Sequence, residues 1–150
     1  MAQTRCPPGV VVGLTIREAC TADIDAVLQL WKRAGAHPSA TDTANDLGRV
    51  IDAHHAAVLI AVDADGTIVG SLIATFDGWR GNVYRMVVDS SVRRRGIARR
   101  LEAEGERFLR DAGAVRLSAL VEGDQPIAQA FWESVGFQHY EGMLRYSKNV

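Results

Sequence analysis

Cysteine is scarce in this sequence, and so are long apolar runs. Cys6 and Cys20 are the only cysteines among 150 residues, too few for the disulfide framework of a small secreted domain. A reducing compartment is therefore expected, with one local disulfide left open. The apolar run at 10–14 is too short to span a membrane and lacks a convincing signal-peptide cleavage site. We expect a cytoplasmic protein without a membrane partner.

Several ligand-binding patterns are absent as well. Neither the Walker pattern Gly-x-x-x-x-Gly-Lys-Ser/Thr nor the dinucleotide fingerprint Gly-x-Gly-x-x-Gly occurs. His54 and His55 are adjacent and would diverge on a helix, and no set of His, Cys and carboxylate residues has ligand spacing, so no metal is expected. No Ser-His-Asp or nucleophilic-cysteine pattern is evident.

Length and charge bound the organisation of the chain. A loose leader is expected over 1–13, which holds Pro7-Pro8-Gly9, followed by a single domain over 14–150. The net charge is only -1, yet residues 79–116 hold ten arginines against five acidic residues. Positive charge concentrated in one stretch suits a small anionic ligand. It gives no broad basic face for a duplex, so no nucleic acid partner is expected.

That basic stretch has the anatomy of an anion site. An apolar strand ends at Val88, a polar turn follows, and the three arginines at 93–95 lead to Gly96, where an amphipathic helix begins. The first N–H groups of a helix are unpaired, and the helix dipole places partial positive charge beside them. Gly96 and Ala98 leave the backbone nearly bare. The stretch therefore predicts a site for a pyrophosphate.

Periodicity predicts the element order β-α-α-β-β-β-α-β-α-β-β. A wholly apolar run at 57–62 predicts a strand buried on both faces, and 83–88 predicts a central strand with Val83, Arg85 and Val87 on one face. The second helix has His54 on its apolar stripe, the third places Glu102 away from its core side, and the fourth has Ile127, Ala130 and Phe131 on its stripe. Residues 115–121 predict a further strand, and 137–140 with 143–147 predict a final hairpin.

Two stretches resemble motifs of one superfamily. Arg93, Gly96 and Ala98 fill the pyrophosphate motif Gln/Arg-x-x-Gly-x-Gly/Ala of the GNAT acyltransferases, and residues 128–137, Ala-Gln-Ala-Phe-Trp-Glu-Ser-Val-Gly-Phe, look like its second motif, Ala-x-x-Phe-Tyr-x-x-x-Gly-Phe. The predicted element order is similar to the GNAT fold over nearly the whole chain. This resemblance implies a mixed α/β sheet that splays between its fourth and fifth strands and holds acetyl-CoA as co-substrate.

The resemblance also implies a function and a set of cofactor contacts. The expected activity is transfer of an acetyl or short acyl group from acetyl-CoA to an amine of a small molecule, peptide or protein, with homodimer formation left open. The acidic N-terminal half slightly favours a basic acceptor. The residues expected at the cofactor are Met86, Val87, Val88, Arg93, Arg94, Arg95, Gly96, Ile97, Ala98, Arg99, Gln125 and Trp132.

The chain departs from the family pattern at three positions. Trp132 stands where a tyrosine acid is usual, Gln125 replaces an asparagine, and Leu120 stands where some relatives carry a glutamate base. The catalytic acid and base are therefore unassigned, and a CoA-binding module without turnover remains the alternative. Candidate proton donors are Tyr84, Tyr140 and Tyr146. Candidate bases or water-holding residues are Asp77, Glu122 and His139.

Overall fold

The protein is described from a computed structural model, which defines residues 13–150. The predicted leader lies, apart from Gly13, outside these residues. Nine regular elements follow, joined by two single-turn 3-10 segments at Thr21–Asp23 and Ser90–Val92. They are β1 (Thr15–Glu18), α1 (Ile24–Arg33), α2 (Ala44–Asp52), β2 (Ala56–Val62), β3 (Ile68–Phe76), β4 (Gly81–Val88), α3 (Ile97–Ala112), β5 (Leu117–Ala119) and α4 (Pro126–Ser134).

The five strands form one mixed sheet in the order β1-β2-β3-β4-β5. The first three pairings are antiparallel, and β4 and β5 are parallel. Only three residue pairs join β4 to β5, the last of them between Val83 and Ala119, although β4 continues to Val88. The sheet therefore splays between its fourth and fifth strands, as the resemblance implied.

Helices cover both faces of the sheet. The alternation of β2 sends Val58, Ile60 and Val62 towards α1 and α2, while Ala57, Leu59 and Ala61 face the α3 side. These two faces explain why the run has no polar residue. Gly105 of α3 fits against the sheet because a Cβ on it would lie 2.8 Å from Leu72 Cδ2.

Several sequence expectations about helices need correction. Thr43 caps α2 by accepting a hydrogen bond from the Asp46 N–H at 3.1 Å. His54 lies beyond the end of α2 and is exposed. In α4 the core stripe is shifted by one residue: Ile127 is 81% exposed, whereas Trp132 is 7% exposed.

The predicted final hairpin is wrong. No strand follows α4 within residues 13–150, and β5 has three residues instead of the seven predicted. Met143, Leu144 and Tyr146, the apolar residues of that pattern, are exposed. An alternation of apolar and polar residues favours a strand only where a neighbouring strand and an apolar surface are available for pairing and packing. The neighbouring edge strand, β5, has only three residues for such pairing.

No helix of the described chain is long and apolar enough to cross a membrane. Across residues 13–150, no group of three or more His, Cys, Asp or Glu side chains is arranged to hold a metal ion.

Candidate active site

A β-bulge in β4 lies at the centre of the splay. Ile73 of β3 pairs with Tyr84 and Ser71 pairs with Val87, so Leu72 faces two residues, Arg85 and Met86. Arg85 has a φ of 52°, a left-handed conformation that is strained for a residue with a side chain. Beyond Arg85 the strand has turned its faces over.

This reversal corrects the predicted faces of β4. Val83 packs in the cluster under α3, but Val87 packs against the α1 and α2 cluster on the opposite side. Strict alternation would have put both residues on the same face. Met86 and Val88 now lie on the α3 side.

A chain of buried hydrogen bonds holds the bulge. The Trp31 indole N–H donates to Ser71 Oγ at 2.8 Å, and Ser71 Oγ donates to the Arg85 carbonyl at 2.9 Å. Ser71 is fully buried. The Arg85 guanidinium lies 5.1 Å from the centre of the Trp31 ring, a cation–π contact on the α1 side.

The same guanidinium holds the loop between α1 and α2. Arg85 Nη2 donates to both carboxylate oxygens of Asp42, at 2.6 and 2.5 Å, and Nη1 donates to the His37 carbonyl at 2.9 Å. Both charged side chains are about four-fifths buried. Charge-assisted hydrogen bonds of this kind are shorter and stronger than neutral ones. The loop is thereby fixed over the bulge.

The predicted anion site directly follows β4. Arg94 and Gly96 both have positive φ, 66° and 75°, and they wind the chain tightly into α3. The first backbone bond of the helix runs from the Arg100 N–H to the Gly96 carbonyl at 3.1 Å, so the preceding N–H groups point outward. A Cβ on Gly96 would meet open space. The guanidinium groups of Arg94 and Arg95 bind no residue of the described chain.

Other groups of this loop have structural partners. Asp89 accepts from the Ser91 N–H at 3.0 Å and pairs with Arg33 at 2.8 Å. The Arg33 guanidinium and the Ser91 donors together lower the Asp89 pKa to about 2. Arg93 Nε donates to the Val88 carbonyl at 3.4 Å, and Arg99 donates to Ser134 Oγ of α4 at 3.0 Å. The loop is therefore positioned at both ends.

A cavity of about 2210 Å³ opens at the splay. It reaches from the α1–α2 loop across β4 to the segment that follows β5 and to the C-terminal residues. Of the residues predicted at the cofactor, Trp132 lines it, whereas the 86–99 stretch lies outside its lining. The candidate catalytic residues that line it are Tyr84, Glu122, His139 and Tyr140.

The candidate catalytic residues have different surroundings. The Asp77 carboxylate accepts from the Arg80 and Trp79 N–H groups, both at 2.8 Å, and these bonds lower its pKa. It therefore serves the β3–β4 turn. Tyr140 receives a bond from Arg116 at 3.0 Å, and Tyr146 is 89% exposed. Glu122 Oε1 lies within hydrogen-bond distance of His37 Nδ1, at 2.9 Å.

Trp132 is buried at the contact of α4 with the core. Its ring packs edge-on against Phe137 at 4.9 Å and against Phe131 at 5.3 Å. The Phe137 N–H donates to the Trp132 carbonyl at 3.0 Å, which folds the chain back over the last turn after Gly136. Gln125 caps α4 without a side-chain bond.

An acidic pair lies on α3. Glu102, expected away from the core, is 6% exposed. Burial and then the neighbouring Glu106 raise the Glu102 pKa to about 7. Glu106 also pairs with Arg110, which leaves the buried carboxyl of Glu102 to hold its proton near neutral pH.

Sequence reasoning did not assign four residues around the bulge to the site: Trp31, His37, Asp42 and Arg85. Their contacts join positions 40 or more residues apart. By local pattern Trp31, His37 and Asp42 are ordinary helix or loop residues. A signal existed only in Arg85, an arginine within an otherwise apolar strand.

The fold and the family are both shown by comparison with known proteins. A model of the Acetyltransferase (GNAT) family matches residues 24–137. The chain is 27% identical over 128 residues to Acetyltransferase SG1711 of Sodalis glossinidius (strain morsitans), covering 85% of this chain and 89% of that protein.

Solved structures of low sequence identity share the fold. AAC(6')-Iy in complex with the bisubstrate analogue CoA-S-monomethyl-acetylneamine superimposes with a TM-score of 0.75 at 22% identity, over 93% of this chain and 100% of that chain. PaiA N-acetyltransferase from Thermoplasma acidophilum, in complex with coenzyme A, gives 0.79 at 14% identity, over 88% and 94%. The chain belongs to the GNAT acetyltransferase family and is an enzyme of the N-acetyltransferase class.

Proposed function

We propose that the domain over 14–150 transfers an acetyl or short acyl group from acetyl-CoA to the amine of a small molecule or peptide. The observation that carries this proposal is the outer edge of β4. Beyond Val83 this edge has no strand beside it among the described residues, and it leads directly to the bare N-terminus of α3. An unpaired strand edge can bond the amides of a pantetheine arm as it would bond another strand.

The cofactor contacts follow from this placement. Met86, Val87 and Val88 would bond the pantetheine arm, and the turn at 93–99 would bind the pyrophosphate through helix N–H groups and the free guanidinium groups of Arg94 and Arg95. Gln125 and Trp132 would border the arm from α4. AAC(6')-Iy and the PaiA protein were solved with CoA or a CoA analogue, which supports this ligand.

The chemistry is attack of a neutral amine on the thioester carbonyl. A backbone N–H of Val87 or Val88 would stabilise the oxyanion, because a donor fixed before the reaction costs no reorganisation. The CoA thiolate then leaves. A thiol pKa near 8.5 allows solvent to protonate it slowly without a dedicated acid. Trp132 would shape the slot, since an indole N–H donates a hydrogen bond but cannot act as an acid.

The charges of the cavity bear on the acceptor. Its lining holds five carboxylate residues and six arginines. An excess of carboxylates would be expected for a polycation, and none is present. AAC(6')-Iy is an aminoglycoside N-acetyltransferase, but this lining favours an acceptor with one amine and an anionic or neutral remainder. These residues are Asp42, Asp46, Glu106, Glu122, Glu133, Arg49, Arg80, Arg85, Arg110, Arg116 and Arg145.

The alternative is a CoA-binding module without turnover, which Trp132 in the tyrosine position favours. Release of free thiol from acetyl-CoA, measured with a panel of amines that includes amino acids, short peptides, simple aliphatic amines and neamine, separates the two. Turnover with amino acids or peptides above that with neamine supports the proposal. Tight CoA binding without turnover on any amine supports the module.

The anion site is tested by a matched pair of variants on α3. Ala98→Glu places a carboxylate at the helix N-terminus, whereas Ala103→Glu places the same group on the exposed face of the same helix. We expect the CoA affinity measured by calorimetry to fall by about one to two decades in A98E, because the added carboxylate repels the pyrophosphate. This fall corresponds to about one charge-assisted hydrogen bond, or about 1.5 to 3 kcal/mol. Unchanged affinity in both variants would contradict the assignment.

A further inference from the structure

An exposed imidazole is held across the splay between the two walls of the cavity. His37 belongs to the loop between α1 and α2, and Glu122 belongs to the segment after β5. His37 Nδ1 lies 2.9 Å from Oε1 and 3.0 Å from Oε2 of Glu122. Both residues line the cavity.

The ring is fixed from two sides. Arg85 holds the His37 backbone by donating to its carbonyl at 2.9 Å, and Asp42 in turn holds the Arg85 guanidinium. The Glu122 carboxylate fixes the ring itself. Because a carboxylate only accepts hydrogen bonds, Nδ1 is the nitrogen that donates to Glu122, and in the neutral ring Nε2 then carries the lone pair. Nε2 makes no hydrogen bond to any residue that the structure describes.

The reaction needs a group that accepts a proton from the acceptor amine, and the His37 ring lies in the cavity where this amine would bind. An aliphatic amine, with a pKa near that of lysine at about 10.4, is mostly protonated at neutral pH and must lose a proton before it attacks. The guanidinium of the bulge residue Arg85 donates to the His37 carbonyl, so the loop that carries the imidazole is held beside the strand that would bind the thioester.

We propose that His37, oriented by Glu122, is the base that accepts the proton of the incoming amine. This proposal rests on the proposed function. His37 Nε2 takes a proton from the ammonium nitrogen, whose freed electron pair forms the C–N bond. The C–S electron pair leaves on the CoA sulfur. The tetrahedral nitrogen releases its second proton, one proton ends on the thiolate, and the net products are the amide, the free thiol and one proton.

The first experiment compares His37→Ala with His54→Ala, a matched change at an exposed histidine outside the cavity lining. Thiol release is measured with the aliphatic amine that gives the highest rate in the panel. We expect kcat/KM to fall by about 10² to 10⁴ in H37A, with CoA affinity and melting temperature unchanged, and added imidazole to restore part of the rate. H54A should match the unaltered protein.

A second measurement does not depend on turnover. Nitrogen-15 NMR of the histidine side chains at neutral pH should show the His37 proton on Nδ1, and Glu122→Gln should shift that resonance. A proton on Nε2, a rate in H37A equal to that of the unaltered protein, or a loss that imidazole does not reduce would overturn the proposal. No turnover by the unaltered protein on any amine would instead overturn the proposed function, whatever the NMR result.

Discussion

The indole of Trp31 and the hydroxyl of Ser71 form a buried hydrogen bond of 2.8 Å between α1 and β3. Both residues are at most 4% exposed. The Ser71 hydroxyl also donates to the Arg85 carbonyl at the bulge, so the same oxygen atom binds both residues. The first helix and the strained residue of β4 are thus joined through one oxygen atom.

Ser71→Ala should lower both stability and turnover. It leaves the Trp31 N–H buried without an acceptor, which costs about 1 to 3 kcal/mol, and it frees the Arg85 carbonyl. We expect a lower midpoint in chemical denaturation and a lower kcat with little change in CoA affinity. Ser90→Ala is the matched control, because Ser90 is exposed and its hydroxyl binds no described residue. Equal stability of the two variants would contradict this account.

Two helical glycines should respond in opposite directions to alanine. Gly48 of α2 has only Ile24 Cδ1 at 3.6 Å from an added Cβ, so Gly48→Ala should stabilise the protein by about 1 kcal/mol. At Gly105 the Cβ would lie 2.8 Å from the fully buried Leu72. Overpacking costs of about 1 to 3 kcal/mol exceed the helical gain. Thermal unfolding should therefore show a higher Tm for G48A and a lower Tm for G105A; a higher Tm for both would show that Leu72 has room to move.

Stability should depend on pH through Glu102. Its folded pKa is raised from 4.5 to about 7, so the folded state holds a proton that the unfolded state has released between these values. The stability that this retained proton contributes to the folded state is fully present below about pH 4.5 and is lost as pH rises to about 7. Glu102→Gln mimics the protonated form and removes this loss.

The measurement is the difference in free energy of unfolding, from chemical denaturation, between E102Q and the unaltered protein, which cancels the other titrating groups. This difference should rise in favour of E102Q from pH 5 to pH 8, by an amount on the order of 1 kcal/mol. Glu104→Gln, on a half-exposed glutamate of the same helix, should show no such trend. A flat difference for E102Q would mean that Glu102 is ionised in the folded protein.

Trp132→Phe should keep most of the activity. If Trp132 only shapes the slot, no acid is lost, and a smaller aromatic ring still packs against Phe137. Trp132→Tyr should raise the rate if its hydroxyl reaches the thiolate, by no more than the roughly 10² to 10⁴ of a general acid. A fall of several decades in kcat for W132F, with CoA affinity and Tm intact, would show that the indole N–H takes part directly.

Local signals predicted the region around α3 well. Gly96 and Gly113 both adopt the left-handed conformation that glycine favours, and they begin and end the helix where the sequence indicates. The splay was implied only by the resemblance to the GNAT fold. Short-range chemistry fixes such helix ends, so a single sequence can show them.

Long-range contacts explain what the sequence could not show. Arg85 has a backbone conformation typical of glycine, and its contacts are distant in sequence: Ser71 binds its carbonyl, and Asp42, 43 residues away, binds its guanidinium. The burial of Glu102 likewise depends on what packs over α3, not on its spacing from Glu106. The prediction of a final hairpin was wrong because a long-range contact is missing: the alternation is present, but no strand lies beside it.

The three residue pairs between β4 and β5 have a consequence for how the molecule opens. Everything from Leu117 onward is joined to the sheet through these pairs and through the packing of α4, chiefly at Trp132. Regions with few buried contacts open at a lower free energy than the whole domain unfolds. We therefore expect residues 117–150 to open as a separate cooperative unit, with amide hydrogens that exchange with solvent long before those of β2 and β3. A long cofactor would then enter the sheet from the side without unfolding the rest.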